Sequence, residues 1–229
     1  MARETLPGPV PLAWGLVAGL AGLGGVLALY QVLAVGTMSI GSPLVGVMGA
    51  GLPVVAGLLL GDAISALDLL GIACGLAAVA AVSWTRSSGG LGELRRVLPL
   101  VVAAGIGFAG FYLAIDQAAR SGGETWWPLV AARAGSVLGV AIAAARLRPA
   151  GRPAGRWPMI VAIGLGDLLG NGFFVMANAQ GALGVAAVLS SLYPVATIVL
   201  ARLVLGERLH RAQALGVALA LLGVALMAA

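Results

Sequence analysis

The sequence predicts an all-α membrane protein with eight transmembrane helices in a 3+5 inverted-repeat arrangement. Three observations lead there. Of the 229 residues, 61% are hydrophobic and 9% charged, with a mean hydropathy of +1.07. Soluble domains carry about 25% charged residues, so this chain lacks the groups to cover a water-facing surface. Apolar runs of about 20 residues, the length a bilayer-crossing helix needs, recur between short polar breaks. The 36 glycines suit helices that pack closely in lipid through small side chains. A soluble bundle would need amphipathic stripes, and these runs are apolar all round.

The first run, 11–34, follows "MARETLPGPVPLAW", which is no clean signal peptide because the run is long and lacks a convincing cleavage site. Near its end Tyr30 and Gln31 form a polar pair that interfacial anchoring explains as well as substrate contact does. The second run, 38–60, stops at Gly61-Asp62. The third, 67–84, starts behind Ser65, which with Asp68 three positions on reads as a capping box. Cys74, the one cysteine, lies in this run; it excludes a disulfide within the chain and packs as a small hydrophobe. "TRSSGGLGELRR" (85–96) is a Gly/Ser-rich linker between a first unit, 1–84, and a second, 97–229.

The fourth run, 97–119, carries Asp116 near its end, and the fifth, 126–147, opens on the aromatic anchor Trp126-Trp127. "RLRPAGRPAGR" (146–156) is a basic loop, read as an orientation signal rather than a ligand site. The sixth, seventh and eighth runs span 157–180, 184–205 and 213–229, the last two separated by Gly206-Glu207-Arg208. Water solvates an acid in such a turn, and the next helix's free N–H groups favour it. Asp62 and Glu207 are therefore structural stops rather than transport groups.

Sliding the chain against itself by 145 positions lays Gly61-Asp62 on Gly206-Glu207. The same shift pairs Gly19 with Gly164, Gly25 with Gly170, Gly36 with Gly181 and Gly71 with Gly216. Residues 12–82 thus match 157–227, so the chain reads as two copies of one unit, the first represented by its last three helices. About 50 residues, or two helices, are expected to be missing from the first copy. A unit of five helices is odd, so successive units cross the membrane in opposite senses, as in many secondary transporters.

"LSSLYPVATIVLARLVLGERLHRAQALGVALALLGVALM" resembles the closing segment of an EamA domain of the drug/metabolite transporter superfamily. "LYQVLAVGTMSIGSPLVGVMGAGLPVVAGLLLGDAISALDLLGIACGLAAVAAV" resembles the same region of a first domain, and "WWPLVAARAGSVLGVAIAA" is similar to the second helix, which commonly carries one Arg. The resemblance implies a ten-helix carrier that exports or exchanges small metabolites, amino acids among them, by alternating access across the cell membrane. It also implies both termini inside. The charges argue otherwise: Arg86, Arg95, Arg96, Arg146, Arg148, Arg152, Arg156, Arg208 and Arg211 fall on one side, and only Arg3 and Arg120 on the other. The positive-inside rule makes the Arg-rich side cytoplasmic, and an even number of spans then puts both termini outside.

Ionisable groups inside a membrane are costly and are candidate functional groups by default. Asp167 lies about 15 Å into the sixth run at 1.5 Å per residue, close to the midplane. Asn171, Phe174 and Asn178 follow on the same helical face. The first copy has Gly22, Val26, Leu29 and Leu33 there, so the stripe belongs to one half. Asp167 is the candidate coupling or substrate group; burial against a neighbouring helix is the alternative. Arg133, about 10 Å beyond the Trp pair, either holds an anionic substrate group, pairs with Asp116, or snorkels. Asp116 itself is near enough to the interface to be solvated. Ser190, Tyr193, Pro194 and Thr197 form a further stripe, with a backbone carbonyl freed by the proline; it lines a cavity or bonds a neighbouring helix. Arg202, near the Arg-rich face, snorkels.

Enzyme chemistry finds no support. The one histidine, His210, sits among loop charges, and no Cys/His cluster is present to bind metal. The chain has no lysine and so no phosphate-binding loop of the Walker type. No catalytic residue, metal or cofactor is expected. The expected partners are the lipid bilayer and a small-molecule substrate, with proton coupling and a homodimer as further candidates, and no nucleic acid. The competing reading is a truncated, non-transporting membrane protein or a partner subunit of a larger carrier.

Overall fold

The computed structural model describes residues 7–35, 38–61, 64–83, 91–122, 126–147, 157–179, 183–192 and 211–227, with Gly155, Val195, Val199 and Leu203. Among these residues all regular structure is helical. The elements are α1 (Pro9–Val35), α2 (Met38–Leu59), α3 (Ala66–Ser83), α4 (Leu91–Arg120), α5 (Trp126–Leu147), α6 (Trp157–Asn178), α7 (Leu183–Ser191) and α8 (Arg211–Met227). Helices occupy the described part of each expected run, although for the seventh run that is only Leu183–Ser191. Helix α4 begins at Leu91, taking in the last six residues of the stretch expected as a linker. Among the described residues, four helices are long and apolar enough to cross a membrane: Pro9–Val35, Arg95–Arg120, Trp126–Arg146 and Trp157–Asn178. The Gly206-Glu207-Arg208 turn, Asp62 and the end of the seventh run lie outside the described residues.

Local chemistry sets the boundaries that are described. Gly61 ends the α2 turn at φ +87°, a left-handed conformation that suits a residue without Cβ. At the start of α3 the expected capping box forms. The Ser65 N–H donates to Asp68 Oδ2 at 2.9 Å, and the Asp68 N–H donates to Ser65 Oγ at 3.1 Å. Two N–H groups that the first turn leaves free are thereby satisfied.

Packing is built on small residues. Helix α1 lies along α5 in the same direction, with Gly15 against Pro128, Gly19 against Ala132 and Gly139 against Leu23. It crosses α4 in the opposite direction, with Gly25 against Phe108 and Gly22 against Phe111. Helix α2 runs with α4 (Met48 against Gly105) and against α7, where Gly184 meets Val54. Helices α3 and α8 are antiparallel: Gly71 meets Met227, and Gly75 meets Gly223. Residues without side-chain bulk let backbones approach to contact distance, which is how helices associate where lipid is as apolar as the core. The exterior is correspondingly apolar: Leu59, Val137, Leu221 and Phe173 are each more than two-thirds exposed.

The second half of α6 lies beside the start of α5, where a Cβ at Gly172 would lie 3.2 Å from the Trp126 ring, while Asp167 earlier in α6 reaches Arg133 further along α5. Helix α6 is therefore antiparallel to α5, and antiparallel to α1 as well. In this arrangement the start of α4 (Arg95, Arg96), the end of α5 (Arg146) and the start of α8 (Arg211) gather at one end of the bundle, and Arg120 lies at the other.

Candidate functional site

Two polar clusters link helices of this apolar bundle, the first partly exposed and the second buried. The first joins α5 to α6 at mid-length. Arg133 Nη1 stands 2.6 Å from Asp167 Oδ2, and Nη2 donates to the Asp167 carbonyl at 3.3 Å. Asn171, one turn on, donates through Nδ2 to the same carbonyl at 2.9 Å and to Asp167 Oδ1 at 3.2 Å. Both carboxylate oxygens are thus engaged by protein. Arg133 Nε is buried with no hydrogen-bond partner, an expensive state for a charged donor.

The sequence reading offered Asp116 as the ion-pair partner of Arg133. The structure corrects that: Arg133 pairs with Asp167, because its side chain leaves α5 toward α6.

Asp167 borders two cavities, and Arg133 borders the first of them. One, of about 350 Å³, lies between α1, α4, α5 and α6 and is lined by Gly22, Val26, Phe108, Phe111, Arg133, Ser136, Asp167 and Asn171, among others. The other, of about 480 Å³, lies between α4, α6 and α7, where Asp167 and Asn171 meet Ser190, Leu189 and Ala186. Tyr112 lines both and packs on Phe174 with ring centroids 4.6 Å apart; Phe111 completes the aromatic group. Ser190 thus shares the lining of the larger cavity with Asp167 and Asn171. Tyr193, Pro194, Thr197 and Arg202 lie outside the described residues.

The second cluster sits where α4 and α6 end. Asp116 is 6% exposed. Arg120 Nε is 2.7 Å from its Oδ2, and Asn178 Nδ2 donates to its Oδ1 at 3.1 Å. The solvated Asp116 expected from its nearness to the interface is corrected: Asn178, 62 positions away, closes over it from the neighbouring helix. The stripe Asp167–Asn171–Phe174–Asn178 is accordingly divided, its middle serving the cavities and its end serving this latch. Asn178 Oδ1 is buried without a partner. Tyr30, offered as a substrate contact or anchor, is 62% exposed on the outside of α1.

Ser136 and the aromatic residues of α4 escaped the sequence reading. Ser136 Oγ lies 2.9 Å from the Ala132 carbonyl and 3.1 Å from the Gly19 carbonyl, sharing its proton between its own turn and α1. A signal for part of the lining did exist. Gly22 and Val26 are the 145-shift counterparts of Asp167 and Asn171, and all four line the smaller cavity. Among the described residues no three His, Cys, Asp or Glu side chains gather as a metal site requires.

Comparison with known proteins adds three findings. No curated protein matches the chain in sequence. A solved crystal structure of another protein has a similar fold, with a TM-score of 0.75 at 20% identity over 95% of this chain and 83% of that one. The EamA-like transporter family model matches residues 95–229, the stretch that carries α5, α6 and both polar clusters. With more than half its length matched, this multi-pass membrane chain belongs to the EamA-like transporter family, and through it to the drug/metabolite transporter superfamily.

Proposed function

We propose that the chain is a secondary carrier that exports or exchanges small metabolites, amino acids among them, across the cell membrane by alternating access. The observation that carries this reading is the Arg133–Asp167 pair beside two cavities in the middle of the bundle. A charged pair at that depth is costly to maintain, and such groups mark substrate or ion pathways. Asp167 acts as the coupling or substrate carboxylate. Arg133, with one guanidinium N–H unpaired, takes an anionic group of the substrate. Asn171 and Ser190 supply hydrogen bonds beside them, and the Asp116–Asn178 contact closes the end of the pathway away from the arginine-rich loops. Tyr193, the remaining residue of this pathway, follows Ser190 by three positions. Movement of a proton on and off Asp167 couples transport by loosening the ion pair when the carboxylate is neutral.

The two units, 1–84 and 97–229 joined by 85–96, form the inverted repeat, with eight spans and the arginine-rich end cytoplasmic. The antiparallel course of α1 against α6, α2 against α7 and α3 against α8 supports it, since these are the helices the 145-residue shift equates. The test is uptake and counterflow of radiolabelled metabolites in proteoliposomes under an imposed pH gradient. Asp167→Asn abolishes gradient-driven flux; unchanged flux would remove Asp167 from the coupling role.

A further inference from the structure

The 145-residue shift relates cavities as well as helices. A further cavity, of about 180 Å³, lies between α1, α2, α4 and α7, where Leu29, Val45, Gly46, Gly49, Phe108 and Ser191 are among the lining residues. Tyr112, which lines both cavities beside Asp167, lines this one too. Leu29 and Val45 are the shift counterparts of Phe174 and Ser190, which line the larger cavity with Asp167. Gly46 and Ser191 are themselves equated and meet in the further cavity, as Gly22 and Val26 meet Asp167 and Asn171 in the smaller one. One set of equated positions is therefore polar and its counterpart apolar.

Among the described residues that line the further cavity none is charged. Ser191 Oγ donates to the Val188 carbonyl at 2.8 Å, so its proton is committed within its own turn. Gly49 is buried, yet a Cβ there would meet only the Phe108 side chain, at an ordinary 3.4 Å. Helix packing does not require this glycine as it requires Gly19, whose Cβ would enter the Ala132 backbone. What the missing side chain of Gly49 leaves is room.

We propose that this cavity receives the apolar side group of a small zwitterionic substrate whose head lies at Arg133 and Asp167. The carboxylate faces the guanidinium and the ammonium faces the Asp167 carboxylate, both as charge-assisted hydrogen bonds. Phe108 and Tyr112 border this cavity and the one that holds the ion pair, and so stand where head and side group join. An apolar cavity of about 150 Å³ holds a benzene ring, which sets the size of the group. Apolar surface gains by leaving water for such a space. A second charge would find neither a counter-ion nor a free donor there. The inference rests on the carrier reading of Arg133 and Asp167 and adds the chemical class of what is carried.

The test measures binding of alanine, norvaline, norleucine, phenylalanine and glutamate to the full chain in nanodiscs, beside their flux in proteoliposomes. These probes share one head and differ in the side group. Affinity is expected to rise about fourfold per methylene from alanine to norleucine. Phenylalanine binds at least as tightly as norvaline, and glutamate more weakly than alanine. Gly49→Val fills the cavity and weakens norleucine and phenylalanine about tenfold, leaving alanine within about twofold. Gly49→Ala, whose Cβ displaces nothing, gives the same ordering with a smaller loss, and Asp167→Asn weakens every probe alike. Equal affinities along the series, no binding by any probe, or a Gly49→Val loss shared by alanine would each overturn the proposal. Graded binding without flux would support the side-group cavity and remove the carrier reading; flux without side-group preference would do the reverse.

Discussion

Arg133 and Asp167 meet at 2.6 Å between antiparallel neighbours α5 and α6, both more than a full turn inside their spans. The Arg133 and Asp167 side chains are 35% and 56% exposed, so the pair contributes about 0–1 kcal/mol after screening. Asp167→Asn and Arg133→Gln are each expected to lower the melting temperature in detergent, at about 2–4 °C per kcal/mol for a chain of this size. The double substitution regains part of the loss, because the uncompensated charge is gone. Transport does not return with it. Thermal melts of the three variants beside proteoliposome flux separate the two effects.

The Asp116 latch gives a graded expectation. Asp116 is buried, so Asp116→Leu strands the Asn178 amide and costs about 1–3 kcal/mol. Arg120 is 45% exposed, and Arg120→Ala costs about 0–1 kcal/mol, the range of surface ion pairs. A double-mutant cycle on Asp116 and Asn178, followed by melting, is expected to give a coupling energy larger than the same cycle on Asp116 and Arg120. Equal couplings would place the latch in solvent.

What the sequence made legible here was local or periodic. Trp126 opens α5 where the aromatic anchor marks its start, Trp157 opens α6 at the first residue of the sixth run, and the Ser65–Asp68 box needs only three positions of chain to specify it. The partner of Arg133 was not legible. At 1.5 Å per residue, Asp116 and Asp167 both lie within about 6 Å of its depth, close enough for a guanidinium to reach either. Depth therefore leaves two partners, and rotation about the α5 axis decides between them. That rotation is set by Gly15 and Gly19 of α1 seating against Pro128 and Ala132, a contact more than 110 positions distant. Asp116 was misjudged for a similar reason: nearness to a helix end suggested water, and the end of α6 excludes it.

The capping box predicts a local effect. Ser65→Ala removes the oxygen that accepts the Asp68 N–H and costs about 1 kcal/mol. Loss is confined to the first turn of α3, so amide exchange quickens at Ala66–Leu69 while α8-facing positions such as Gly75 keep their protection. Faster exchange along all of α3 would mean that the box anchors the whole helix.

Gly19 and Gly24 form a paired test of the close approach between α1 and α5. A Cβ at Gly19 runs into the Ala132 backbone, and backbone yields only if the helices separate; a Cβ at Gly24 meets nothing within 4 Å. Gly24→Ala is therefore expected to stabilise slightly, by up to about 1 kcal/mol, since glycine within a helix is the costlier residue. Gly19→Ala gains the same propensity but must push α1 from α5, and overpacking of this kind costs about 1–3 kcal/mol. The displacement also moves the Gly19 carbonyl from Ser136 and widens the cavity that holds Arg133. Gly19→Ala should consequently lower both melting temperature and flux, whereas Gly24→Ala lowers neither. If the two variants melted alike, α1 would not be seated on α5 as described, and the rotation that aims Arg133 at Asp167 would need another cause.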